Sequence, residues 1–375
     1  MIALQIDVLE AQGRRLAMAK SIKRAPVGMT AIGLDLADVW SDWAGLDERG
    51  EVVGRDRVKT TESELRKVFG VIAPTTIALE VGTHSAWVSR VLGSLGHTVV
   101  VANARKVALI HRNKRKNNRI DAEFLARLVR SDKTLLFPIT HRDERSQADL
   151  AVLRARDLMV SARTKLINHV RGASKAFGKP LPKCSAPAFV SRCSGQVASD
   201  LLPALNPLLE QLASMTAAIK AYDREISAMV KRHPEAMRLM QISGVGELTA
   251  LAYVLTVEDP QRIVRSRSAG AYFGLVPGSD DSGEKHEQRR ITKEGDRFCR
   301  RLLVSAAQYI LGQHAKVDSD LRRHGLAIAA RGGKNAKKRA VIAVARKLAV
   351  VMHRLWITGQ TYVPLFNGSR ESIAA

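Results

Sequence analysis

Three cysteines in 375 residues (Cys184, Cys193 and Cys299) are too few and too irregularly spaced for a disulfide framework or a thiolate zinc site. Their scarcity fits a reducing compartment, and the cytoplasm is the expected location. Aromatic residues make up only 5% of the chain, which argues against stacking platforms as the main grip on single-stranded nucleic acid. No uninterrupted apolar run reaches the roughly 18 residues that a spanning helix needs, so no membrane partner is expected. Met1 to Pro26 scatter Asp7, Glu10, Arg14, Arg15 and Lys20 among apolar residues and lack the apolar core of a signal peptide; they read as a short, loosely held extension. Acids are scarce too: 36 Asp and Glu face 60 Lys and Arg, leaving a net charge of +24 and a pI near 10.4. A surplus this large seeks a polyanion, and with the membrane surface disfavoured that partner is nucleic acid. Walker loops, a Gly-x-Ser-x-Gly elbow, paired-histidine zinc motifs, internal repeats and low-complexity tracts are all missing from the sequence.

What is there suffices for two or three domains, since 46% hydrophobic residues can fill proper cores. The first segment alternates strand and helix signals. Thr30 to Ala37 and Val39 to Ala44 read as strands, and Asp47-Glu48-Arg49-Gly50 as the turn into a third strand, Glu51 to Val58. A helix Glu62 to Phe69, a strand Thr75 to Leu79, a helix Trp87 to Leu95 and a strand Thr98 to Ala102 follow. Three hairpin-linked strands and then β-α-β units predict a mixed sheet covered by helices, the order of a ribonuclease-H-like core. Beyond Pro138 strand character is lost. Leu205, Leu208, Leu212, Met215, Ile219, Tyr222, Ile226 and Met229 step by three and four, an a/d seam about three heptads long. It reads as a coiled-coil arm or as one amphipathic helix packed on its own domain. Lys175 to Pro187 is the expected break between two long helices. A last helix, Ala336 to Trp356, is apolar on one face and carries Lys337, Lys338, Arg339, Arg346, Lys347 and Arg354 elsewhere.

Several constellations carry chemistry. Asp35 lies in an otherwise apolar strand and Glu80 ends another; a buried carboxylate is neutralised, ion-paired or on a metal. If the first and fourth strands are neighbours, these two acids share one sheet edge. Asn118 and Asp121, at i and i+3, share one face of a helix running from Asp121 to Arg130 and could reach the same ion. Oxygen ligands of this kind suit Mg²⁺ or Mn²⁺, which promote phosphodiester transfer. The competing reading makes Asn118 an N-cap and Asp121 its acidic partner. Arg112, Lys114, Arg115, Lys116 and Arg119 crowd the approach, as a solvated face or as a grip on phosphates. Gly244-Val245-Gly246 ahead of a helix is either a phosphate-holding turn or a plain tight one. Ser282 lies on a Gly-flanked loop before the basic residues Arg289, Arg290 and Lys293; most such serines are turn residues.

Read in order, Ile32-Gly33-Leu34-Asp35-Leu36-Ala37, Leu79-Glu80, Lys116-Asn117-Asn118-Arg119-Ile120-Asp121, Gly244-Val245-Gly246, Gly274-Leu275-Val276-Pro277 and Ser282-Gly283 form a specific series. The chain resembles, from about Gly28 to Trp356, the DEDD transposases of insertion sequences, the group that includes the pilin-gene invertases. The resemblance implies a RuvC-like domain, a coiled-coil arm and a C-terminal transposase domain. It implies divalent metal at Asp35, Glu80, position 118 and Asp121, and a nucleophilic serine at Ser282. It further implies strand exchange between donor and target DNA through a covalent phosphoserine, a structured guide RNA, and a dimer or tetramer in which one subunit's acids are completed by another's serine domain. One position departs from the family pattern: the third acid is the amide Asn118.

The expected organisation is an extension over 1–27, a RuvC-like domain over 28–137, a helical arm over 138–235, a mainly helical transposase domain over 236–360 and a tail over 361–375. The expected function is RNA-guided recombination. Its rivals are a RuvC-like nuclease that uses metal-activated water and not Ser282, and a nucleic-acid-binding protein weakened at position 118.

Overall fold

The structure, a computed structural model, describes residues 28–110, 118–282, 285–313, 315 and 317–366. The expected N-terminal extension, the end of the tail, and Arg112, Lys114, Arg115 and Lys116 lie outside them. The chain divides into two compact units, Met1–Arg142 and Asp143–Ala375. Among the described residues no helix is long and apolar enough to cross a membrane.

The first unit is a five-stranded sheet with helices on both faces. Strands β1 (Ala31–Asp35), β2 (Trp40–Leu46) and β3 (Val52–Lys59) form antiparallel hairpins, and β4 (Thr76–Glu80) and β5 (Thr98–Ala102) join parallel to β1 through helical crossovers, giving the order β3-β2-β1-β4-β5. This order is consistent with a RuvC or ribonuclease-H-like fold, and it puts the first and fourth strands side by side. The period-two alternation of each strand sorts its residues between faces. Ile32, Leu34, Ile77 and Leu79 meet helices α1 (Glu62–Phe69) and α2 (Ser85–Ser94) in one core, while Ala31 and Ala78 meet Leu125 and Val129 in the other. Helix α3 (Ala104–Ile110) follows β5, and α4 (Asn118–Ser131) lies across β1. Gly33 permits that crossing: a Cβ there would sit 1.9 Å from the Ala122 carbonyl oxygen and 2.5 Å from the Ala126 amide nitrogen. The far end of α4 is fastened to the β2–β3 turn, where Arg127 donates to the Gly50 carbonyl (3.2 Å) and Arg130 to that of Glu48 (3.1 Å).

In the second unit two long helices, α5 (Glu144–Ala176) and α7 (Leu202–Lys231), pack together, with the short α6 (Phe189–Cys193) in the connection. The Asp143 side chain caps α5 by accepting from the Ser146 amide at 2.6 Å, and this bond holds its carboxyl below the usual range. The seam expected for a coiled coil is used within the chain. Leu205, Leu209, Leu212, Ile219, Ile226 and Met229 form the buried stripe, whereas Leu208, Met215 and Tyr222 stay half-exposed. An ideal helix drifts relative to a strict seven-residue repeat, which moves burial from Leu208 to Leu209. The rest of the unit surrounds α9 (Glu247–Val257), every residue of which from Thr249 onward is buried. The same core takes in α8 (Pro234–Leu239), α10 (Ala269–Tyr272), α11 (Arg297–Leu311), α12 (Asp320–Ala330) and α13 (Ala336–Thr358), and the unit also holds the hairpin of β6 (Pro277–Ser282) and β7 (Lys285–Ile291).

Candidate active site and nucleic-acid interface

The sheet arranges its acids along one rung. Arg57 pairs with Asp42 across β3 and β2, and Asp42 with Asp35 across β2 and β1. Leu34 pairs with Leu79 across β1 and β4, which brings the next residues, Asp35 and Glu80, to the same level; Glu80 in turn faces Ala102 on β5. Alternation from Gly33, Ala44 and Ala78 directs Asp35, Asp42 and Glu80 to the face covered by α4. Adjacent strands lie about 4.8 Å apart, so three carboxylates follow one another at about that spacing. Asp35 and Glu80 are partly exposed at the strand ends, while Asp42 is only 5% exposed.

Position 118 is already helical in α4, with Asp121 one turn on, so the helix takes in the three residues before Asp121 that the sequence leaves outside it. Asn118 is exposed and Asp121 half-buried. Between them Arg119 reaches the Asp42 carboxylate at 3.9 Å, and Arg57 approaches the same carboxylate at 3.6 Å. Among the described residues no three His, Cys, Asp or Glu side chains are close enough together to hold a metal ion. The donor chemistry nonetheless suits one: Asp35, Glu80 and Asp121 offer hard oxygen atoms, and the Asn118 amide offers a neutral one.

A histidine joins the two loops that leave this edge. His84, after β4, lies 3.1 Å through Nε2 from Asp38, after β1, and its Nδ1 accepts the Trp87 indole N–H at 3.1 Å. An indole only donates, so the imidazole proton resides on Nε2 and points to Asp38. Neither Asp42 nor His84 stands out in the sequence by composition.

The second unit carries a broad groove of about 1020 Å³. Arg289 and Arg290 of β7, Lys293 after it, and Lys338 and Arg339 of α13 line it together. Arg267, His324, Arg331, Arg346 and Lys347 also line it, and among the described lining residues none is acidic. Leu275, Ile328, Ile342 and Val350 give the groove an apolar floor. Burial, with Lys347 and Arg331 nearby, holds His324 below the ordinary imidazole range. Lys337 is exposed on α13 but does not line the groove.

Two sequence motifs acquire a local setting. Gly244 has φ +93°, and a Cβ there would meet the Tyr309 ring at 3.0 Å, so the turn requires glycine for conformation and space alike. Gly246 caps α9, where Glu247 already brings a carboxylate to the first turn and accepts from the Ser227 hydroxyl at 2.6 Å. Ser282, expected on a loop, is instead the last residue of β6, paired with Lys285 across the hairpin. The Pro277 and Ile291 ends of that hairpin line the groove.

The sequence pattern of the transposase family described as IS116/IS110/IS902 covers residues 236–322, and the DEDD transposase pattern of IS110-type elements covers residues 32–176. The chain is 30% identical over 356 residues to the transposase for insertion sequence element IS1111A of Coxiella burnetii, across 93% of this chain and 95% of that protein. It is 27% identical to a probable family 20 transposase of Pseudomonas aeruginosa, covering 76% of this chain and 85% of the other. A transposase for element IS1328 of Yersinia enterocolitica shares 28% identity over 79% of this chain and 90% of its own. With family patterns over residues 32–176 and 236–322 and a 30% identical relative matched over 93% of the chain, the chain belongs to the IS116/IS110/IS902 family of insertion-sequence transposases.

Proposed function

We propose that this transposase cuts DNA at the Asp35–Glu80 edge and rejoins it through a phosphoserine at Ser282, guided by a structured RNA and acting as a homo-oligomer. The observation that carries the cutting site is the rung: two carboxylates at the ends of neighbouring parallel strands, on the face where α4 brings Asp121. Asp35, Glu80 and Asp121, with the Asn118 amide, would hold Mg²⁺ or Mn²⁺. Such an ion, when bound, lowers the proton affinity of the attacking oxygen and steadies the leaving one.

The cations of the groove would grip the sugar–phosphate backbone, which fixes position without reading bases. This supports a division of labour in which base pairing with a guide RNA selects the sequence. The hairpin that carries Ser282 also contributes to the groove wall, which favours this serine as the nucleophile. In the reaction the Ser282 hydroxyl oxygen bonds to phosphorus, the bond from phosphorus to one deoxyribose oxygen breaks, and that oxygen takes the proton. The phosphoserine keeps the diester's free energy, so a hydroxyl of the partner strand can displace the serine and restore its proton without a nucleotide cofactor.

A second reading, hydrolysis by water, draws support from the acid edge lying wholly within the first unit. One assay separates them. DNA labelled next to the cleavage point is incubated with the protein and Mn²⁺, then denatured and resolved by mass. A covalent adduct that Ser282→Ala abolishes, together with rejoining, supports the phosphoserine; cutting that survives Ser282→Ala without an adduct refutes it in favour of water.

A further inference from the structure

Asp42 is buried directly opposite Asp35, an arrangement that needs a reason. Like charges facing each other across an antiparallel pair are destabilising. A carboxylate removed from water costs several kcal/mol unless opposite charge compensates it. The compensation comes from Arg57 at 3.6 Å and Arg119 at 3.9 Å. Both separations exceed hydrogen-bond length, so the pairs act by charge across a short gap. Arg57 is its partner on the same rung of the sheet. Arg119 is different: it belongs to the first turn of α4, immediately after Asn118 and two residues before Asp121.

The body and far end of α4 are fixed by close approach at Gly33 and by the hydrogen bonds of Arg127 and Arg130. Arg55 on β3 pairs with Glu123, a further tie near the middle. The Asp42–Arg119 attraction lies at the other end, in the turn that carries the site residues. We propose that Asp42 is a positioning residue for the cutting site, drawing the first turn of α4 onto the sheet through Arg119 and so setting where Asn118 and Asp121 stand over Asp35 and Glu80. This rests on the reading of that edge as the place where DNA is cut. It assigns no direct contact with DNA or metal to Asp42; its effect passes through the helix.

The test is a double-substitution cycle in the full-length protein, with Asp42→Asn, Arg119→Gln and both together. Asp42→Asn keeps the side-chain volume, and Arg119 is exposed, so its replacement leaves the core intact. Hydrogen exchange of the amides at 118–126 reports the seating of the helix independently of catalysis. DNA cutting in Mn²⁺ reports its consequence, with kcat and KM measured separately.

Each single substitution should speed exchange in the first turn and lower kcat about tenfold or more while leaving KM within about twofold, because misplacement of a site residue by about 1 Å is enough for such a loss. The double substitution should be no worse than the worse single one, since both remove one attraction. Asp42→Glu should recover part of kcat. Unchanged exchange and kcat in Asp42→Asn overturns the proposal, and so do losses that add, which would mean that Asp42 acts without Arg119. An unsubstituted protein that cuts no DNA overturns the reading of the edge; the exchange cycle then judges the Asp42–Arg119 tether alone.

Discussion

Gly33→Ala tests the geometry of the acid edge without touching any of its charges. The added methyl carbon would lie 1.9 Å from the Ala122 carbonyl oxygen and 2.5 Å from the Ala126 amide nitrogen. Ordinary contact begins at 3.4 Å, so strand and helix must separate by about 1.5 Å along that line. Both obstacles are backbone atoms, and no flexible side-chain end can swing aside. Overpacking of this kind costs about 1–3 kcal/mol. For a unit of this size each kcal/mol lowers the unfolding midpoint by about 3–4 °C. Asp121 immediately precedes Ala122, and Asp35 lies two residues beyond Gly33, so the same movement widens the gap between helix and strand carboxylates. A shift of about 1 Å at a reacting centre can remove about a hundredfold in rate. The expected result is a DNA-cutting rate that falls far more than the unfolded fraction explains, measured well below the new midpoint by gel assay beside a thermal melt. A Gly33→Ala protein with the parent midpoint would refute the close approach. A destabilised protein with full activity would refute the link between helix seating and chemistry.

Three other outcomes follow from the same geometry. Lys338→Ala with Arg339→Ala should weaken nucleic-acid binding alike for all sequences and reduce the slope of log affinity against log salt by about 2, as expected for two lost phosphate contacts; an unchanged slope would place the phosphates elsewhere. Asn118→Asp replaces a dipole with a full charge and should tighten Mn²⁺ binding, followed by electron paramagnetic resonance, and raise the cutting rate about tenfold or more; no change in either would leave position 118 as a helix residue only. His324, held below the ordinary imidazole range, binds its proton less readily in the folded protein than in the unfolded chain, so its contribution to stability is present above about pH 6.5 and lost as pH falls toward the lowered value. Bound phosphate reverses that bias, so nucleic-acid affinity should rise as pH falls over the same window, and a His324→Gln protein that keeps the full pH response would rule this out.

The first unit was largely legible because its signals are local. Glu62–Phe69 and Thr98–Ala102 agree with the sequence reading residue for residue, and the β-α-β pattern put the first and fourth strands together. Asp42 was hidden inside the strand read from Val39 to Ala44, since its burial depends on register and not on its neighbours in sequence. A signal did exist: Asp35 and Asp42 are placed symmetrically about the turn at 38–39, and in a hairpin that symmetry makes partners. The groove was legible only in its densest parts. Arg289-Arg290 and Lys338-Arg339 stand out as pairs, whereas Arg267 and, on and just after α12, His324 and Arg331 are isolated in sequence and join the groove only in the folded unit. The seam of α7 was legible as a stripe, but spacing alone does not say whether a stripe packs on its own chain or on another; here it packs on α5.

The two candidate surfaces carry opposite charge, and this sets what each can contribute. The groove attracts a phosphodiester, while the carboxylates of Asp35 and Glu80 repel one. A phosphate about 5 Å from a single carboxylate is opposed by roughly 3 kcal/mol at an effective dielectric constant of about 20. A divalent cation at the edge would turn the repulsion into attraction. Removing an acid should then act in opposite directions on binding and on cutting. In chelator, Asp35→Asn or Glu80→Gln should bind DNA several-fold more tightly than the parent, and in Mn²⁺ should cut it far more slowly. Lys338→Ala loosens binding under both conditions. If both acid substitutions weakened DNA binding in chelator, the edge would be gripping DNA by hydrogen bonds in its metal-free form, and the charge argument for a metal-dependent cutting site would fail.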